Sequence, residues 1–197
     1  MKEFWNQRYE QSAYAYGKTP NEFVREQLQK LSPGQILFPA EGEGRNSVFA
    51  ATLGWKVTAF DSSAEGQKKA FQLAEENQVS IDYQVTDFEN FEWAGPDFDC
   101  ICLIYAHQPP NVRKKYHQKL LRWLKPGGKV LLEGFSKAQL GKPSGGPPVL
   151  EMLFSKEELL DDFGDLKNLQ MEELDIQLTE GLYHVGPASV IRLVGER

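Results

Sequence analysis

Residues able to do chemistry gather in four short stretches of this sequence. The first is Pro39-Ala40-Glu41-Gly42-Glu43-Gly44-Arg45-Asn46-Ser47. Gly42 and Gly44 let a ligand approach the backbone closely. A dinucleotide loop wants a third glycine in G-x-G-x-x-G, and that position here is Ser47. Glu41 and Glu43 flank the turn and would repel a pyrophosphate, so the loop suits a cationic ligand better than an anionic one. The second stretch is Asp61-Ser62-Ser63. Asp61 lies 19 residues after Gly42, where an acid accepts hydrogen bonds from ribose hydroxyls; the same residues also suit a helix N-cap. The third is Asp87-Phe88. Its carboxylate suits an exocyclic amine such as adenine N6, and its ring a base, although a turn aspartate looks the same. The fourth runs from Tyr105 to Gln108 and contains His107.

Other candidates lie further apart. Trp5, Arg8, Tyr14 and Tyr16 precede the first clear helix, and aromatic faces there could attract a positive centre by cation–π interaction. Tyr183 and His184 sit late in the chain. His107 and His184 are candidates for a base or a hydrogen-bonding role, whereas His117 falls in a polar helix and is expected to face solvent. Arg45 and Arg113 are candidates for an anionic group. No Cys/His spacing supports a zinc site.

The elements that must position these residues alternate. Strands are expected at Gln35–Pro39, Trp55–Phe60, Ile81–Val85, Phe98–Tyr105 and Lys129–Phe135, the fourth apolar enough for a central parallel strand. Helices are expected at Asn21–Leu31, from Arg45 to about Leu53, and at Ala64–Asn77 with Lys68, Lys69, Glu75 and Glu76 on its wet side. Further helices are expected at Pro110–Leu124 and from Ser155 to about Phe163, the last opened by a capping box, Ser155 to Glu158. Lys125-Pro126-Gly127-Gly128 reads as a turn. Two strands without a helix between them, near Met171–Leu178 and Ala188–Val194, read as an antiparallel hairpin at an edge. The pattern is a doubly wound α/β, Rossmann-like sheet of seven strands, mostly parallel. In such sheets ligands bind outside the carboxyl ends of the strands, and all four stretches follow strands.

The whole chain has 197 residues, the size of one domain. It is 41% hydrophobic and 25% charged, which excludes disorder as its main state. The longest clean apolar run, Cys100–Ala106, spans 7 residues, far from the roughly 20 of a membrane-crossing helix. Net charge is −6 with no basic cluster, a poor match to nucleic acid. Cys100 and Cys102 read as buried small residues. Without a disulfide framework or a leader pattern at the N-terminus, a cytoplasmic location is expected.

A ligand with adenine, ribose and a positive centre but no phosphate describes S-adenosylmethionine. The sequence resembles the class I S-adenosylmethionine-dependent methyltransferases, from about residue 4 to the C-terminus. ILFPAEGEGRNS resembles their glycine-rich motif, AFDSS their ribose-binding acid, VTDF their adenine contact, FDCICLIYAH their fourth strand and LKPGGKVLLE the turn before their fifth. FWNQRY, YGKTPNEFV, GGPPVLEML and EGLYHVGPASVIRLVG resemble a narrower group, small bacterial enzymes akin to the tellurite-resistance (TehB-like) and thiopurine methyltransferases. The family usually has an acid at the position of Phe38 and glycine at that of Ala40; Glu41 is a candidate to supply the missing charge.

The resemblance implies a cofactor set of Trp5, Arg8, Tyr16, Pro39, Ala40, Glu41, Gly42, Gly44, Arg45, Asn46, Asp61, Ser62, Ser63, Asp87, Phe88 and Ile104. It places Tyr105, His107 and His184 on the catalytic, acceptor side. It implies a single methyltransferase domain over residues 1–197, in which residues 1–31 cover the cofactor and the Gly/Pro-rich loop 137–150 covers the acceptor pocket. The expected acceptor is a small thiol, chalcogen species or other small nucleophile, and the expected state is monomer or homodimer. Two alternatives are an inactive module that binds adenosyl compounds and acts through a protein partner, and an NAD(P)-dependent oxidoreductase. Ser47 and the LKPGG segment oppose the second.

Overall fold

The computed structural model describes residues 2–197. Seven strands form one sheet in the order β3-β2-β1-β4-β5-β7-β6. They are β1 Gln35–Pro39, β2 Lys56–Asp61, β3 Asp82–Val85, β4 Phe98–Ile104, β5 Leu124–Phe135, β6 Lys167–Glu180 and β7 His184–Glu196. The helices are α1 Lys2–Tyr9, α2 Glu22–Leu28, α3 Arg45–Thr52, α4 Ala64–Glu76, α5 Pro110–Leu121 and α6 Lys156–Phe163. No helix among the described residues is long and apolar enough to cross a membrane.

The chain forms two compact units: residues 1–96 with 180–183, and residues 97–179 with 184–197. In the first unit β1 pairs with β2 and β2 with β3, all parallel. Ile36, Leu37, Phe38, Ala59 and Phe60 are buried, and Phe60 stacks on Phe91 at 4.3 Å. The expected wet side of α4 needs one correction. Lys68 pairs on the surface with Glu65, but Lys69 is buried. Its charge is satisfied inside by Glu43, so polarity alone assigned it to the wrong face. The stretch of N-terminal aromatics includes a short terminal helix, α1, whose one buried residue is Tyr9.

In the second unit β4 pairs parallel with β5, and β5 antiparallel with β7. Lys125–Gly128 was expected as a turn ahead of the strand. It lies inside β5 as an irregularity, because Phe98 pairs with Leu124 while Cys100 already pairs with Lys129. Ser155 caps α6 with the reciprocal Ser155–Glu158 box. The terminal strands are longer than the apolar pattern suggested, since the hydrogen-bonded ladder continues through polar residues at both ends. Cys100 and Cys102 are buried thiols, with their sulfurs 3.8 Å apart.

Candidate active site

The first unit builds the glycine loop. The chain leaves β1 through Ala40, whose φ of 53° lies in the left-handed region. Glu41 continues the contact with β2, its N–H donating to Phe60 O at 3.1 Å. Its carboxylate turns to the start of α3 and accepts the N–H groups of Asn46 at 3.0 Å and Ser47 at 2.7 Å. Gly44 is the N-cap residue and has no side chain to do this, so Glu41 satisfies orphan donors of that helix. Burial pushes the Glu41 carboxyl up to about 7, against the pull of those hydrogen bonds.

The two glycines have different jobs. A Cβ on Gly44 would sit 2.6 Å from the Cβ of Ala70, so this glycine lets α4 approach. A Cβ on Gly42 would sit 2.6 Å from the phenol oxygen of Tyr9. Tyr9 is buried, stacks on Trp5 at 5.5 Å and lies over the loop. Tyr83 donates to Gly42 O at 2.6 Å from below. Neither tyrosine was a sequence candidate. The FWNQRY match contained Tyr9, but nothing in it distinguished Tyr9 from the other aromatics.

Asp61 ends β2. Its carboxylate accepts from Gly42 N at 3.2 Å and from Ser63 N at 2.8 Å, and burial raises it to about 6. Ser63 caps α4 through Gly66 N and also donates to Asn6 of α1 at 2.7 Å. The loops after β1 and β2 therefore share a network joined through Gly42, Asp61, Ser62 and Ser63. Asp87 is exposed; its Oδ1 accepts from the backbone and side chain of Asn90, which closes a turn. Phe88 is buried edge-on against Phe60. Pro39 pairs with Phe60 at the end of β1.

Residues 13–17 lie against the same loop. Glu43 accepts Ala15 N–H at 2.7 Å and pairs with buried Lys69 at 2.7 Å, while Lys69 also donates to Ala13 O. Arg45 donates to Tyr16 O and pairs with Glu180 at 3.0 Å. Arg8 lies over the Tyr183 ring at 3.7 Å and donates to Tyr16 Oη at 3.4 Å. Asn46 accepts the N–H of Asn21. A small pocket is lined by Tyr9, Tyr16, Gly17, Glu41, Glu43 and Arg45.

The second unit holds the acceptor-side candidates. Ile104 ends β4, and Tyr105 follows with φ 52°. The Tyr105 ring packs against Phe135 at 4.7 Å and edge-on to buried His184 at 4.6 Å. Its hydroxyl donates to Glu133 at 2.9 Å. His107 is tied at both ring nitrogens. Phe135 N–H donates to Nε2 at 3.0 Å, so Nδ1 carries the proton and donates to Met152 O at 2.8 Å. Burial drives this imidazole down to about 4.

His117 was expected to face solvent and does not. It is fully buried on Phe163 and bonded to Asp162 at 2.8 Å. Asp162 also holds Arg113, through Nε at 2.6 Å, so both residues join α5 to α6. The Gly/Pro-rich loop is pinned: Ser144 donates to Pro187 O, Gln139 to Ser144 and Gly145 O, and Lys142 to Ser189.

A family described as a methyltransferase domain matches residues 36–128. This stretch contains the glycine loop, Asp61 and β4. It covers 93 of the 197 residues, just under half of the chain, and marks this part as similar to methyltransferase domains. A curated relative, the demethylmenaquinone methyltransferase of Renibacterium salmoninarum, is 32% identical over 110 residues, 55% of this chain. The match spans 45% of that relative, so the chain aligns with less than half of its length. Among solved structures, TehB from Haemophilus influenzae has a TM-score of 0.71 at 15% identity, covering 100% of this chain and 66% of TehB. The N-methyltransferase NodS from Bradyrhizobium japonicum, in complex with S-adenosylhomocysteine, has a TM-score of 0.68 at 16% identity, covering 100% and 98%. At these identities the two structures show a shared fold.

NodS binds S-adenosylhomocysteine, the demethylated form of S-adenosylmethionine. The donor set here fits such a ligand. Buried carboxylates at Glu41 and Asp61 beside an open-backbone glycine suit hydroxyls and a positive centre, not a phosphate.

Proposed function

We propose that the chain transfers a methyl group from S-adenosylmethionine to a small-molecule acceptor. The observation that carries this reading is the buried Asp61 carboxylate, placed at the carboxyl end of β2 and turned onto the Gly42 N–H. In this reading Asp61 takes the ribose hydroxyls, and Asp87 and Phe88 take the adenine, with Ile104 beside it. Pro39, Ala40, Glu41, Gly42 and Gly44 shape the loop, Arg45 and Asn46 hold it, and Ser62 and Ser63 fix Asp61. Trp5, Arg8 and Tyr16 close over the cofactor. When bound, S-adenosylmethionine supplies a methyl group already activated by its sulfonium, so attack is an in-line displacement that returns the C–S electrons to sulfur. The protein's task is then position and field.

On the acceptor side we assign contact to Tyr105 and His184. His107 serves by holding Met152 and Phe135 in place, since both its nitrogens are committed. The loop 137–150 covers the acceptor. The acidic chain argues against a nucleic-acid target, and two buried thiols fit the reducing cytoplasm.

The test is calorimetric titration with S-adenosylmethionine and S-adenosylhomocysteine. Micromolar binding of both is expected, with a loss of at least about tenfold in Asp61→Asn, a site that hydrogen-bonds ligand hydroxyls. No binding of either compound would overturn the reading. Buried Phe38, at the place of the family's usual acid, favours a second reading, an adenosyl-binding module without turnover; methyl transfer to any acceptor excludes it.

A further inference from the structure

The core of β5 reads Val130-Leu131-Leu132-Glu133-Gly134-Phe135, and all six residues are buried. One acid in such a strand is costly, because an ion loses its hydration there. Glu133 is 0% exposed. Its two carboxylate oxygens are each used. Oε2 accepts Arg192 Nε at 2.6 Å from the directly paired position on β7, and Oε1 accepts the Tyr105 hydroxyl at 2.9 Å. The backbones are joined as well, Tyr105 N–H donating to Glu133 O at 2.7 Å. An apolar residue would fill the Glu133 position without this cost, so the acid needs a reason beyond packing.

Tyr105 supplies that reason. It sits immediately after β4, at the end of a strand where ligands bind in such sheets. The residue is half-buried, its backbone is left-handed, and its ring is held by Phe135 and His184. A carboxylate paired with arginine only accepts, so the single phenol hydrogen is committed to Glu133. Any further polar group that meets the phenol oxygen must then donate.

We infer that Glu133 and Arg192 are positioning residues that fix Tyr105 as an acceptor-only group, which selects methyl acceptors whose nucleophilic atom carries a hydrogen. This rests on the methyltransferase reading above and narrows its substrate class to thiols, hydroxyls and amines bearing N–H, whose hydrogen leaves to solvent as a proton when the methyl group is transferred. Fully substituted nucleophiles such as thioethers and tertiary amines are disfavoured.

The test uses the full chain and labelled S-adenosylmethionine. The paired acceptors are 2-mercaptoethanol with 2-(methylthio)ethanol, and morpholine with N-methylmorpholine. Tyr105→Phe is expected to lower the preference for the hydrogen-bearing member at least about tenfold, the scale of a lost hydrogen bond to a partner left unpaired, with cofactor affinity unchanged. Glu133→Gln, whose amide can donate to the phenol and turn its hydrogen outward, should lower the same ratio and add nothing on top of Tyr105→Phe. An unchanged ratio in Tyr105→Phe overturns the inference. So do additive effects of the two variants, or a protein that binds cofactor yet methylates neither hydrogen-bearing acceptor. Failure to bind cofactor instead identifies failure of the methyltransferase reading. A second measurement needs no turnover. With tyrosine labelled at the ring carbon bearing oxygen, the Tyr105 carbon-13 resonance should lie downfield of free phenol and move in Glu133→Gln. A resonance that stays in place overturns the inference in either case.

Discussion

Glu41 caps α3: its carboxylate accepts the N–H groups of Asn46 and Ser47, at 3.0 and 2.7 Å, on a helix whose N-cap residue is Gly44. The buried acid is tuned by opposing effects, with desolvation ahead, and its carboxyl rises from 4.5 to about 7. Asp61 behaves alike, rising from 3.8 to about 6. In both cases the folded protein holds the proton more tightly than the unfolded chain. Their contribution to stability is therefore full below the unfolded value and is lost as pH rises through the folded one. Urea unfolding between pH 4.5 and 7 should show Glu41→Gln with a flatter fall in stability than wild type, by roughly 3 kcal/mol across the window. Parallel curves would refute the burial argument.

Ala40 carries a side chain where the backbone is left-handed. Glycine loses nothing there, whereas alanine is strained by about 1 kcal/mol. Ala40→Gly should raise the thermal midpoint by about 2–4 °C. A lowered midpoint in a thermal melt would show that the alanine methyl packs usefully.

The Glu43–Lys69 pair is buried and anchors residues 13–15. Lys69→Met leaves Glu43 charged without its cation and should cost about 3–5 kcal/mol. The double variant Glu43→Gln/Lys69→Met should recover part of that loss. In denaturant titrations, strictly additive losses would mean the two residues do not act as a pair.

Asp162 holds Arg113 and His117 between α5 and α6. Asp162→Ala removes the imidazole's acceptor and leaves the buried guanidinium with only the longer contact to Glu158, at 3.5 Å, and should cost roughly 3–5 kcal/mol. His117→Phe should cost less, because ring stacking on Phe163 survives while the hydrogen bond to Asp162 is lost. Equal losses would assign the stability to the histidine and not to the acid.

Local chemistry made much of this legible in advance. Gln35–Pro39 appears as β1 with the expected bounds, because an apolar run ending at proline before a glycine loop has few alternatives. Ser155 and Ser63 cap the helices their positions announced. Misreadings fell where a charge finds its partner far along the chain. Lys69 meets Glu43 and His117 meets Asp162. A polar residue read in isolation belongs in water, since burying its charge alone is prohibitive, and only its distant partner reverses that sign.

The sequence by itself determined the alternation of strands and helices, the glycine loop and the acid after β2, because each is written in residues close together. Tertiary structure alone decided that Glu41 faces a helix end, that Tyr9 lies on Gly42, and that both nitrogens of His107 are occupied. These depend on which way a side chain turns once the chain has folded, whether its partner is 5 residues away, as Asn46 is from Glu41, or 45, as Met152 is from His107, and no local pattern carries that information.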